Sequence, residues 1–204
     1  MQFARIPWIS KLVYRDALFR ITEPNKKAVY LTFDDGPVPE ATPLVLDILA
    51  KHNAKATFFC VGENVKKNPE IYQRILKEGH KVGNHTYNHL NGWKTTDKEY
   101  FENVEECAKV LNSELFRPPY GRIKYSQYKE LKKRYKIVMW DLLSYDYSAK
   151  LSAEQCLDIV KKNTRPGSII VFHDSIKAST KIPVLLTGTL DFVKQKGFEP
   201  LPLL

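Results

Sequence analysis

The feature that most constrains this chain is an alternation that starts near Ala28. Short, almost continuously apolar runs recur, and helical patterns fill the intervals between them. The runs are AVYLTF (Ala28–Phe33), ATFFCV (Ala56–Val61), KVG (Lys81–Gly83), ELFR (Glu114–Arg117), KIVMW (Lys136–Trp140) and SIIVF (Ser168–Phe172). A strand that is apolar on both sides of its pleat must be covered on both faces, which is the condition of parallel strands flanked by helices. Helical patterns are read over Pro43–Lys51, over Glu70–Glu78 before Gly79, and from about Pro183 to Lys196 before Gly197. Two more begin at capping boxes, Thr96 with Glu99 and Ser152 with Gln155. The fold class is therefore α/β, as an open sheet or a small incomplete barrel.

Polar residues fall where each strand should end. Asp34 and Asp35 end the first run, GNHTYNH (Gly83–His89) the third, RPPYG (Arg117–Gly121) the fourth, DLLSYD (Asp141–Asp146) the fifth, and His173 and Asp174 the sixth. Parallel strands share one C-terminal edge, where α/β folds build their sites. Of the five histidines, His85, His89 and His173 lie on this rim. His52 and His80 lie near helix ends and are read as packing or surface residues.

His85 and His89 are four residues apart. On one helical turn they share a face and can hold one metal ion. A nearby aspartate completes two imidazoles and one carboxylate, with positions left open for water and substrate. One of Asp34 and Asp35 can serve as that ligand while the other takes a proton. Neighbouring strand residues point to opposite faces, so both can serve only where Gly36 and Pro37 break the strand. Taken alone, the pair fits equally an Asx turn with the second aspartate solvated.

Together, TFDDGP (Thr32–Pro37), HTYNH (His85–His89), RPPYG, WDLLSYDY (Trp140–Tyr147) and VFHD (Val171–Asp174) resemble, in order, the five motifs of the NodB-type polysaccharide deacetylases, carbohydrate esterase family 4. The resemblance runs from about Lys27 to Gly197. It implies a distorted, incomplete (β/α) barrel. It also implies a hydrolase acting on carbon–nitrogen bonds other than peptide bonds, one that removes acetyl groups, chiefly N-acetyl, from a carbohydrate. It further implies one divalent ion, Zn2+ first and Co2+, Ni2+ or Mn2+ as substitutes, with Asp35, His85 and His89 as ligands and a metal-bound water as nucleophile. Asp34 would be the base, held by Arg117. The Tyr120 N–H would meet the oxyanion, and His173 would be the acid, partnered by Asp146. Pro119, Tyr120, Trp140 and Tyr147 are the candidate substrate contacts. Trp93 and Tyr87 are further aromatics near the motifs, with Trp93 assigned to packing. The fourth motif departs from the family pattern: Leu143 stands at its first aspartate and Tyr147 at its tryptophan.

Two other readings use the same residues. Two histidines and a carboxylate also describe an iron oxygenase triad, which belongs on antiparallel jelly rolls. A non-catalytic carbohydrate-binding relative would be expected to have lost the base, a ligand or the acid. The net charge of +9 raises the question of an anionic partner. The lysines are scattered along helices, as in KELKKRYK (Lys129–Lys136), without an interleaved array of stacking aromatics, so they are read as solvated helix faces and no nucleic-acid partner is expected. Cys60, Cys107 and Cys156 are odd in number and set among apolar residues, as packed thiols are. Residues 1–26 form a separate N-terminal segment and 27–204 the catalytic domain. Ile9, Leu12, Val13 and Ala17 fall near helical spacing, so the segment is expected to be a helix docked on the domain, with a membrane-surface helix as the alternative. With neither a signal peptide nor an apolar span of about 20 residues, the expected location is cytoplasmic, with envelope association left open. Oligomeric state is not indicated.

Overall fold

The computed structural model describes residues 8–23 and 26–203. Strands β1 (Ala28–Asp34), β2 (Thr57–Cys60), β3 (Lys81–Asn84), β4 (Leu115–Phe116), β5 (Lys136–Ile137), β6 (Leu142–Leu143) and β7 (Ile169–His173) form one curved sheet. Its order is β5-β4-β3-β2-β1-β7-β6, and every pairing is parallel. Strand β8 (Glu199–Pro200) adds to the start of β1. This is the open, incomplete barrel that the motifs imply. It also removes the antiparallel jelly roll that the oxygenase reading requires.

Helices α2 (Thr42–Lys51), α3 (Gly62–Lys67), α4 (Pro69–Lys77), α5 (Asp97–Ala108), α6 (Tyr125–Leu131), α7 (Ala153–Asn163), α8 (Ile176–Ser179) and α9 (Ile182–Gln195) connect the strands. Both expected capping boxes are present, at the start of α5 and of α7. All seven residues of β1 are buried, as its unbroken apolar run predicts. Phe33 stacks between Phe58 and Phe172, tying β1 to β2 and β7. The principal core lies between these strands and α2, α7 and α9. The three cysteines are free and buried, and burial pushes the Cys107 thiol up to about 12.

The N-terminal helix α1 covers Trp8–Val13, while residues before Trp8 lie outside the described part. Leu12 is 53% exposed and Val13 43% exposed, so these two positions do not dock. The contact is made by the residues that follow. Leu18 bridges Val138 beyond β5, and Arg20 bridges Ser168 before β7. Ala17 and Phe19 are buried between. The segment thus links the chain beyond β5 to the chain leading into β7 through backbone hydrogen bonds, including Ile21 N–H to Gly167 O at 3.0 Å. No helix among the described residues is long and apolar enough to cross a membrane.

Candidate active site

The parallel register sets the site. Asp34 at the end of β1 pairs with His173 at the end of β7, and the loops after β3, β4 and β6 open on the same edge. They surround a cavity of about 690 Å³ lined by Asp34, Asp35, His85, His89, Tyr120, Trp140, Leu143, Tyr147 and His173, among others. That volume suits a ligand of one to a few sugar rings.

Asp34 and Asp35 are adjacent but differently placed. Asp34 keeps strand geometry, whereas Asp35 has φ 84°, so the strand breaks at Asp35 itself rather than at Gly36 and Pro37. Aspartate tolerates this left-handed region better than most residues. The break turns the second carboxylate onto the same rim as the first. Asn64 Nδ2 donates to Asp35 O at 2.7 Å, and Gly36 N–H donates to Asp174 Oδ1 at 3.0 Å. Thr42 Oγ1 donates to Asp174 Oδ2 at 2.7 Å. A Cβ on Gly36 would lie 1.9 Å from Asp174 Oδ2, so only glycine admits this buried carboxyl. Burial pushes Asp174 up to about 8, with Asp35 adding in the same sense and the Thr42 bond opposing.

Asp34 faces a fully buried guanidinium. Arg117 Nη1 lies 2.6 Å from Asp34 Oδ1 and also donates to Thr32 Oγ1 at 2.8 Å. Its Nη2 and Nε donate to Met139 O and Val138 O, at 3.0 and 3.3 Å. The guanidinium carbon lies 4.0 Å from the Phe59 ring centroid. Burial pulls the Arg117 pKa down, opposed by Asp34. A charge this deep is tolerable only because its donors are matched.

Asp35, His85 and His89 offer one ligand atom each, all within 4.8 Å of one another. His89 Nε2 is 3.2 Å and His85 Nε2 3.9 Å from Asp35 Oδ1. The histidines are not on a helical turn. They lie in a loop in which Thr86 and His89 have positive φ, 63° and 60°. The loop is pinned by Gly62 N–H to Thr86 O and Glu63 N–H to Tyr87 O. His85 Nδ1 is 2.8 Å from Arg117 O. That contact requires a proton on Nδ1, which leaves the Nε2 lone pair facing the site. Burial pushes His85 down to about 4, partly offset by Asp34, so its imidazole is neutral. For Asp35, burial alone would raise the pKa. The His89 hydrogen bond and the charge of His173 outweigh it and hold the carboxyl below its usual range. Two imidazole nitrogens and a carboxylate oxygen make a donor set that fits a divalent ion such as zinc.

Across the rim, Asp146 follows β6 rather than β5. Its Oδ1 is 2.7 Å from His173 Nδ1, and its Oδ2 accepts the His173 N–H at 2.7 Å. Burial alone would lower His173, but Asp146 raises it to about 9. The imidazole is therefore cationic at neutral pH. Tyr147 packs edge-on against it, with centroids 5.0 Å apart.

Tyr120 has φ 60°, and its hydroxyl is 3.1 Å from His89 Nδ1. Trp140 and Tyr147 line the cavity, whereas Pro119 is buried beside it and Tyr87 stands outside it. Trp93 is not a packing residue: it is 58% exposed. His80 is one, buried and accepting the Ala56 N–H through Nδ1 at 3.2 Å. Sequence reasoning missed Asn64, Arg122, Ile176 and Lys177 on the cavity wall and Thr42 and Asp174 behind Gly36. Only Asp174, beside His173, carried a visible signal.

Comparison with known proteins places the sequence and the fold. Residues 22–139 match the family described as polysaccharide deacetylase. The chain is 40% identical over 176 residues to a peptidoglycan-N-acetylglucosamine deacetylase of Bacillus cereus, covering 82% of this chain and 62% of that protein. It is 36% identical to the chitooligosaccharide deacetylase of Azorhizobium caulinodans, covering 76% and 77%. The crystal structure of the Bc1960 peptidoglycan N-acetylglucosamine deacetylase superposes with a TM-score of 0.87 at 37% identity, covering 96% of this chain and 93% of that one.

Proposed function

The chain belongs to the polysaccharide deacetylase family, and from that premise we propose that it hydrolyses the N-acetyl groups of a carbohydrate with the help of one divalent ion. The observation that carries this reading is the divergent surroundings of Asp34 and Asp35. One carboxylate is committed to a buried arginine, and its neighbour to two imidazoles.

Asp35, His85 and His89 would hold the ion, which in such a site polarises a carbonyl and makes water a nucleophile near neutral pH. Asp34, oriented by Arg117, takes the proton from the attacking water. As the water oxygen bonds to the acetamide carbon, the Tyr120 N–H donates to the oxygen that gains charge. His173, cationic through Asp146, then gives its proton to the departing nitrogen. The C–N bond breaks, leaving acetate and a free amine. The apolar side chains of Leu143 and Val171 on the cavity wall suit the acetyl methyl. Trp140, Tyr120 and Tyr147 provide ring faces for sugar.

A binding-only relative would have no use for a cationic His173 opposite an arginine-bound Asp34. The test is acetate release from N-acetylated glycans, before and after exhaustive chelation. Activity lost on chelation and restored by a divalent ion supports the proposal. Full activity in the chelated protein, or no acetate from any N-acetylated glycan, refutes it.

A further inference from the structure

The cavity lining contains two acids and two exposed cations. The acids, Asp34 and Asp35, are answered within the site by Arg117 and the histidines. The cations, Arg122 and Lys177, make no ion pair among the described residues. They stand on separate flanks, because β4, which leads to Arg122, is separated from β7, which leads to Lys177, by β3, β2 and β1.

Arg122 is held in place. Tyr120 and Gly121 both have positive φ, 60° and 65°, and this turn lets Arg122 N–H donate to Pro119 O at 3.0 Å. A Cβ on Gly121 would lie 2.4 Å from the Trp140 ring, so the turn also depends on glycine. The Arg122 guanidinium carbon lies 5.3 Å from the Trp93 ring centroid. Trp93 Nε1 donates to Ile123 O at 3.1 Å. This anchors an indole that is otherwise left in solvent. The result is a cation propped on an anchored aromatic ring at the flank of the cavity, two residues from the tyrosine whose hydroxyl meets His89.

Resting on the deacetylase reading, we infer that Arg122, positioned by Trp93, binds a carboxylate on the sugar adjoining the one that is deacetylated. The preferred substrate is then an anionic glycan rather than a neutral one. A carboxylate can take two parallel N–H bonds from a guanidinium, whereas a neutral hydroxyl gains little over water. Stacking on Trp93 restrains the arginine before binding, which lowers the ordering cost. The net charge of +9 favours the same encounter.

The experiment uses the full chain loaded with a divalent ion and measures acetate release from three tetrasaccharides. One alternates N-acetylglucosamine with a sugar bearing a free 3-O-lactyl carboxylate. The second is the same compound with that carboxyl amidated. The third is tetra-N-acetylchitotetraose. The readout is the ratio of kcat/KM for free acid over amide. We expect a ratio of about 5 or more, falling with added salt. It should drop toward 1 in Arg122→Ala through KM. Trp93→Ala should lower it in part, and Trp93→Phe should keep it. A wild-type ratio near 1, a ratio indifferent to Arg122→Ala, or an equal fall in Lys177→Ala overturns the inference while leaving the deacetylase reading intact. No acetate from any of the three compounds overturns that reading and this inference with it.

Discussion

Arg117 Nη1 donates to Asp34 Oδ1 at 2.6 Å, and the guanidinium that does so is completely buried. The pair is a fixed orientation device beneath the cavity floor. Its carboxylate cannot rotate away without leaving a buried cation unanswered.

Removing one partner should therefore cost far more than removing both. Arg117→Met is expected to destabilise the fold by about 3 kcal/mol or more, because it strands Asp34 and three carbonyl or hydroxyl acceptors. The double variant Arg117→Met with Asp34→Asn should recover much of that loss. Denaturant unfolding of the four proteins in the cycle measures the coupling. Additive losses would mean that the two groups do not act as a pair.

The His173–Asp146 contact sets an alkaline limit. His173 is raised to about 9 by Asp146, so the acid form persists through neutrality. Activity should decline as pH climbs through about 9 and the imidazolium is lost. In Asp146→Asn the decline should begin at lower pH. Stability has the same sign. The contribution of His173 is fully present below its ordinary value near 6.5 and is lost as pH rises to about 9. A pH–rate profile of both proteins checks this, and identical alkaline limbs would show that His173 is not the acid.

Asp174 should matter without touching substrate. Its carboxyl ties Gly36 to Thr42 and so fixes the backbone that turns Asp35 inward. Asp174→Ala is expected to cost about 1–3 kcal/mol and to weaken metal affinity, with Asp174→Asn milder on both counts. Because burial raises Asp174 to about 8, folding opposes its ionisation. The stability of the wild type relative to Asp174→Asn should therefore fall as pH rises from about 4 to about 8. Thermal melts across that range, with metal titration of each variant, provide the readout.

Much of this site is written in the strand ends. The apolar runs mark β1, β2, β3 and β7, and polar residues after them mark a shared edge because parallel strands have only one. What the chain hides is local backbone. Nothing in TFDDGP signals φ 84° at Asp35, and HTYNH reads as a helical turn until Thr86 and His89 take left-handed conformations. Those angles are imposed by partners distant in sequence, such as Asn64 and Gly62. Strands β6 and β8, of two residues each, are too short to carry a period. The docking of Ala17–Ile21 depends on the chain beyond β5 and the chain leading into β7, which are not brought together until the barrel has formed. Trp93 misled because an aromatic in a loop is read as packing, whereas its Nε1 bond holds it on the surface.

The division of labour between the two neighbouring aspartates is tested most directly by metal content and acetate release measured together on Asp34→Asn and Asp35→Ala. Asp34→Asn should retain about one equivalent of divalent ion and lose at least about 100-fold in turnover, while Asp35→Ala should lose ion and activity at once. Near-normal turnover in Asp34→Asn, or a full complement of metal in Asp35→Ala, would contradict the account.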